Sequence, residues 1–82
     1  ETEAIKVAGY TDDQGNELRN LALSRQQAQN IANYLWLQGL DARSMYSTGY
    51  GSQYPIASNK LAEGQEKNRR VQITFRRIPA NG

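Results

Sequence analysis

Apolar positions alternate over the first ten residues. Ile5, Val7 and Gly9 fall on one side of an extended segment and Lys6 on the other, which predicts a half-buried strand over residues 4–9. A run of turn formers follows, Thr11-Asp12-Asp13-Gln14-Gly15-Asn16. The period then changes. Ala28, Ile31, Ala32 and Leu35 stand at i, i+3, i+4 and i+7, a narrow apolar stripe joined by Trp36 or Leu37, and predict one long helix over about residues 25–38. Ser24 with Gln27 three residues later reads as a capping box at its start, and Gly39 followed by Leu40 as its stop. Residues 42–48 alternate weakly around Met45 and Tyr46 and predict a second strand. The polar stretch 49–68 has no strong period beyond a helical turn or two between Leu61 and Glu66, and a connection of that length is either functional or organised by its own packing. Val71, Ile73 and Phe75 alternate with Gln72, Thr74 and Arg76, the clearest strand, over residues 70–77. The pattern predicts an α+β domain over residues 1–78, with one helix on one face of a small mixed sheet and a frayed tail at 79–82.

Composition makes this core thin. Only 17 of the 82 side chains are Val, Ile, Leu, Met, Phe or Trp. Ordering the chain costs on the order of 1.5 kcal/mol per residue. Stability then calls for unusually good packing, a partner, or more chain. With no Cys there is no disulfide, thiolate nucleophile or Cys-bearing zinc site. With no His there is no Ser-His-Asp triad and no imidazole base or ligand. No nucleophile–base pair can be assembled, so an enzyme is not expected, nor a cofactor or metal. No apolar run approaches the roughly 18 residues of a membrane span. The net charge of +2 is too balanced to argue by itself for nucleic acid.

Two groups of residues could carry chemistry. Asp12 and Asp13 follow a strand and precede a Gly turn. A carboxylate there either binds a cation, an ammonium group or a metal, or closes an Asx turn on its own backbone, and local sequence favours the turn. Lys67, Arg69, Arg70, Arg76 and Arg77 surround the last strand. Charge that protects a strand edge explains them most simply, while base stacking on Tyr46, Tyr50 and Tyr54 would make the domain a nucleic-acid binder. Arg69 shares a face with Val71 and wants a carboxylate partner, for which Asp12 is a candidate.

In order along the chain stand Gly9-Tyr10-Thr11-Asp12-Asp13-Gln14-Gly15, Asn20-Leu21-Ala22-Leu23-Ser24, Ala28, Gly49-Tyr50-Gly51, Pro55-Ile56-Ala57-Ser58-Asn59, Glu63-Gly64 and Asn68-Arg69-Arg70-Val71. This set closely resembles the OmpA-like peptidoglycan-binding domain, also found in Pal lipoproteins and MotB stator proteins. The resemblance implies a βαβαββ-type domain of the Gram-negative periplasm, associated with the outer membrane, that grips the peptide stem of the cell wall without cutting it. It would anchor a larger outer-membrane or secretion-type assembly, with peptidoglycan and the assembly's other subunits as partners. By position, Asp12 would face the side-chain ammonium of diaminopimelate. Thr11, Gly15 and Asn20 would shape the loop around the ligand, and Arg69 and Arg70 would brace that loop or reach the ligand. The family also carries a strand and a helix ahead of the segment that begins here at Ala4, which would make this chain about the last two-thirds of such a domain.

Two departures bear on the function. Tyr10 stands where the family usually has His, a position with no proton-transfer role. Gln27 stands where the family has the Arg that binds the ligand carboxylate, and a neutral amide can donate to a carboxylate but cannot neutralise it. Gln27 also has a sufficient role in the capping box. Arg25 lies about 200° around the helix from it and is a poor substitute. The alternative function is therefore an OmpA-like scaffold subunit of an envelope complex, its wall binding weakened or lost.

Overall fold

The computed structural model describes residues 2–41 and 44–78. The expected tail at 79–82 and the start of the expected second strand at 42–43 lie outside the described residues. Strand β1 (Thr2–Tyr10), helix α1 (Glu17–Leu37), strand β2 (Met45–Gly49), helix α2 (Ala62–Asn68) and strand β3 (Arg70–Ile78) follow one another. The three strands form one mixed sheet in the order β2-β1-β3. β1 pairs parallel to β2, with Gly9 opposite Gly49, and antiparallel to β3, with Ile5 opposite Phe75 and Val7 opposite Ile73.

The helix start differs from the sequence expectation. α1 begins at Glu17, eight residues before Arg25, and its N-cap is Asn16, whose Oδ1 accepts from the amides of Leu18 at 2.8 Å and Arg19 at 3.2 Å. Ser24 and Gln27 are therefore mid-helical and form no capping box. The Ser24 hydroxyl donates to the Leu21 carbonyl at 3.0 Å and accepts from the Gly51 amide at 3.0 Å. The expected stop is found. Gly39, at φ +105°, follows the C-cap Gln38; its amide donates to the Trp36 carbonyl, and that of Leu40 to the Leu35 carbonyl, the paired bonds of a Schellman motif.

The buried face of α1 is Asn20, Ser24, Ala28 and Ala32, spaced four apart. Trp36 and Leu37, expected to join the apolar stripe, are exposed. Ala28 and Ala32 pack on Ile5 and Val7, with Ile31, Leu35, Leu40, Met45 and Val71 partly buried around them. At the other end of the sheet no side chain separates the layers. A Cβ on Gly9 would collide with the Ser24 carbonyl and one on Gly49 with the Arg25 amide, so glycine at both positions lets α1 rest on the strand backbones. α1 covers β1 and β2 but hardly reaches β3. Ile73 and Phe75, in register with the buried Val7 and Ile5, stay 41% and 61% exposed.

The segment from Gly49 to Asn68 is organised by its own packing, around Asn68. That side chain is fully buried. Its Oδ1 accepts from the amides of Ile56 at 2.8 Å and Ala57 at 3.0 Å, while Nδ2 donates to the Ala57 carbonyl at 2.9 Å and Asn59 Oδ1 at 2.7 Å. α2 supplies the helical turns expected near Leu61–Glu66.

Candidate functional site

Beyond the Gly9–Gly49 contact, the chain leaves β1 and builds a loop across the N-terminal half of α1. Thr11 donates its amide to the Gly51 carbonyl at 2.8 Å and its hydroxyl to the Asp12 carbonyl at 2.7 Å. Asp12 turns back on itself, Oδ1 accepting from the Gln14 amide at 3.0 Å, which is the Asx turn expected from the local sequence. Gly15, at φ +81°, completes the reversal that delivers Asn16 to its capping position. Asn20 reaches from α1 and donates to the Gln14 carbonyl at 3.0 Å, with a longer contact of 3.5 Å to that of Asp12. Thr11, Asp12 and Asn20 are all buried, whereas Asp13 to Asn16 between them are exposed.

The second oxygen of Asp12 accepts from Arg69 Nη1 at 2.6 Å. Arg69 is the C-cap of α2, its amide bonded to the Gln65 carbonyl, so the pair ties the β1–α1 loop to the α2–β3 junction. The Arg69 side chain is 54% exposed and that of Asp12 only 11%. Between the loop, the α1 face and Arg69 lies an open cavity of about 380 Å³. Its walls include Thr11, Asp12, Gly15, Asn20, Gln27 and Arg69, six residues singled out in the sequence. Arg70 is not among them. Its guanidinium sits 3.8 Å from the centre of the Tyr10 ring and donates to the carbonyls of Tyr54 at 3.0 Å and Asn68 at 3.2 Å. There it braces the connection after β2 through a cation–π contact and two hydrogen bonds.

Gln27 has no capping duty to perform; it is exposed on the cavity wall. Arg19 and Leu23 share that wall; Leu23 stood in the sequence only as part of a motif, and Arg19 was not singled out. With the helix start placed at Arg25, Arg19 fell in a loop. The four-residue spacing Arg19–Leu23–Gln27 finds it once Asn16 is read as the cap. Three tyrosines contact in series, Tyr10 and Tyr50 at 5.4 Å and Tyr50 and Tyr54 edge to face at 5.2 Å, with Lys6 Nζ 4.8 Å above Tyr50. Among the described residues no group of three or more Asp or Glu side chains could hold a metal ion, and no helix is long and apolar enough to cross a membrane.

The family model of OmpA matches residues 1–69. The chain belongs to the OmpA family. It is 48% identical over 72 residues to the probable lipoprotein YiaD of Escherichia coli, covering 88% of this chain and 33% of that protein. It is 45% identical over 69 residues to the peptidoglycan-binding protein ArfA of Mycobacterium tuberculosis, covering 84% of this chain and 21% of that one. Among solved structures, the peptidoglycan-associated lipoprotein of Burkholderia pseudomallei superposes with a TM-score of 0.86 at 27% identity, over 90% of this chain and 63% of that one. The chain thus spans a fifth to a third of the two named relatives by sequence. In the run Asn68-Arg69-Arg70 the three side chains act separately: Asn68 organises a loop, Arg69 pairs with Asp12, and Arg70 packs on Tyr10.

Proposed function

We propose that this domain binds peptidoglycan without catalysis, and that it anchors an outer-membrane or secretion-type envelope assembly to the cell wall from the periplasm. The observation that carries the reading is the cavity that brings Thr11, Asp12, Gly15, Asn20, Gln27 and Arg69 together. It is supported by family membership and by kinship to proteins named for binding or associating with peptidoglycan. In this reading Asp12 accepts the side-chain ammonium of diaminopimelate. Each Asp12 oxygen already takes one hydrogen bond, from Gln14 or from Arg69, and keeps further acceptor capacity. An ammonium can therefore be received without breaking either. Thr11, Gly15 and Asn20 act by fixing the loop, and Arg70 by bracing the neighbouring connection. The test is co-sedimentation of the full-length protein with purified diaminopimelate-type sacculi. Asp12→Ala should lower affinity by about tenfold or more, the loss of one charge-assisted hydrogen bond. A parent protein that sediments no better than a non-binding control would refute the reading.

A specific observation favours a second reading, a scaffold subunit of an envelope complex with weakened or lost wall binding. Asp12 is already neutralised by Arg69, and the neighbouring Gln27 is uncharged. Under that reading Gln27→Arg creates binding that the parent lacks. Strong parental binding that this substitution leaves untouched would exclude it.

A further inference from the structure

Among the charged side chains that line the cavity, one has no partner among the described residues. Asp12 is paired with Arg69, whereas the guanidinium of Arg19 makes no hydrogen bond or ion pair among the described residues; only its backbone amide is engaged, by Asn16. The acids beside it are committed elsewhere. Glu17, two residues back, accepts from the Ser52 hydroxyl at 2.8 Å and 3.0 Å, and Asp13 accepts from the Gln14 side chain at 3.2 Å. Two guanidinium groups and one carboxylate line the cavity, so one positive charge stands in excess. It is held on the rigid wall of α1 rather than on a loop.

We infer that Arg19 is the residue that holds a free carboxylate of the ligand. The inference rests on the reading of this cavity as the peptide-binding site and adds the polarity with which a peptide lies in it. Arg19, Leu23 and Gln27 recur every fourth residue, and each step turns the helix by only about 40°, so the three make one wall. Helical side chains lean toward the N-terminus of their helix, which carries the Arg19 side chain toward the Gly15–Asn16 turn and away from Gln27. Eight residues of α-helix separate Arg19 from Gln27, about 12 Å along the axis. The anion is therefore gripped at the mouth of the β1–α1 loop, beside the ammonium site at Asp12, and the Gln27 end of the wall serves neutral groups. Arg25, also on α1, lies outside the cavity and offers an internal control.

The experiment measures affinity of the full-length protein for two soluble stem peptides. They differ only in whether the diaminopimelate carboxylate is free or amidated. The parent and Arg25→Gln should prefer the free acid by about tenfold or more, a charge-assisted bond against a neutral one. Arg19→Gln should remove that preference while leaving affinity for the amide unchanged, and Arg19→Lys should restore part of it. Thermal melts of Arg19→Gln should match the parent, because the side chain has no partner to lose among the described residues. A preference for the free acid that survives Arg19→Gln would overturn the role of Arg19 and leave the peptidoglycan reading intact. Equal parental affinity for acid and amide would overturn it in the same way. A parent that binds neither peptide nor sacculi would overturn both.

Discussion

Asp12 and Arg69 stand 57 residues apart in the chain and meet at 2.6 Å, the carboxylate nearly buried and the guanidinium half in solvent. That asymmetry decides the cost of breaking the pair. Arg69→Met strips the counter-ion from a carboxylate that water barely reaches and should cost about 1–2 kcal/mol, above the value of an exposed pair. Asp12→Asn leaves behind a cation that water can solvate and should cost less. Urea unfolding of both single variants and the double variant checks this, with the double variant less destabilised than the sum of the singles.

Asn68 makes four hydrogen bonds in a fully buried site and is the side chain about which residues 56–59 are wound. Asn68→Leu should cost about 2–4 kcal/mol, because the amides of Ile56 and Ala57 and the Ala57 carbonyl all lose their partner. Limited proteolysis should then cut first between Pro55 and Lys60. Retention of the parental cleavage pattern and unfolding midpoint would contradict this role.

Helix capping separates Asn16 from Gln27. Asn16→Ala should destabilise by about 1 kcal/mol, since two amides of the first turn lose their acceptor. Gln27→Ala should stay within about 0.5 kcal/mol of the parent, as expected of an exposed side chain outside any cap. Denaturant midpoints rank the two, and a larger loss at Gln27 would restore the capping box at Ser24.

Lys6 carries a pH dependence. The Tyr50 side chain beside it favours the Lys6 ammonium and raises its pKa above the ordinary lysine value of 10.5, against a smaller lowering by burial. Because the folded value is the higher one, the stabilisation is fully present at neutral pH. It is lost as pH rises past 10.5 and through the raised value. The side-chain titration of Lys6 followed by NMR should shift to lower pH in Tyr50→Phe. An unchanged titration would show that Tyr50 does not hold the ammonium.

The strands were legible because their side chains announce them. Val71, Ile73 and Phe75 alternate whether or not anything covers them, and two of the three remain exposed. The start of α1 was hidden for the opposite reason. Its buried positions there are Asn20 and Ser24, polar residues that pay no hydrophobic signal, while Leu18 and Leu23 face solvent. A search for apolar period therefore finds only the half of the helix over Ile5 and Val7 and loses the half that walls the cavity. Asp12, Thr11, Gly15, Asn20, Gln27 and Arg69 were found through resemblance to a family motif, and Arg19, which that motif does not specify, was missed. The ion pair of Asp12 with Arg69 was reachable from strand parity, which places Arg69 with Val71.

Gly9 and Gly49 lie side by side, with α1 seated directly on their backbone, whereas Ile31, Leu35 and Met45 hold the two layers apart farther along. The domain is thus a wedge whose thin edge is the contact of α1 with Gly9 and Gly49. Thr11 and Gly51 leave the sheet just past that edge and are bonded to each other, and Ser24, seated on it, accepts from Gly51. Ile31, Leu35 and Met45 thus pack where the wedge is thick, away from the cavity that Thr11, Asp12 and Asn20 line at its thin edge.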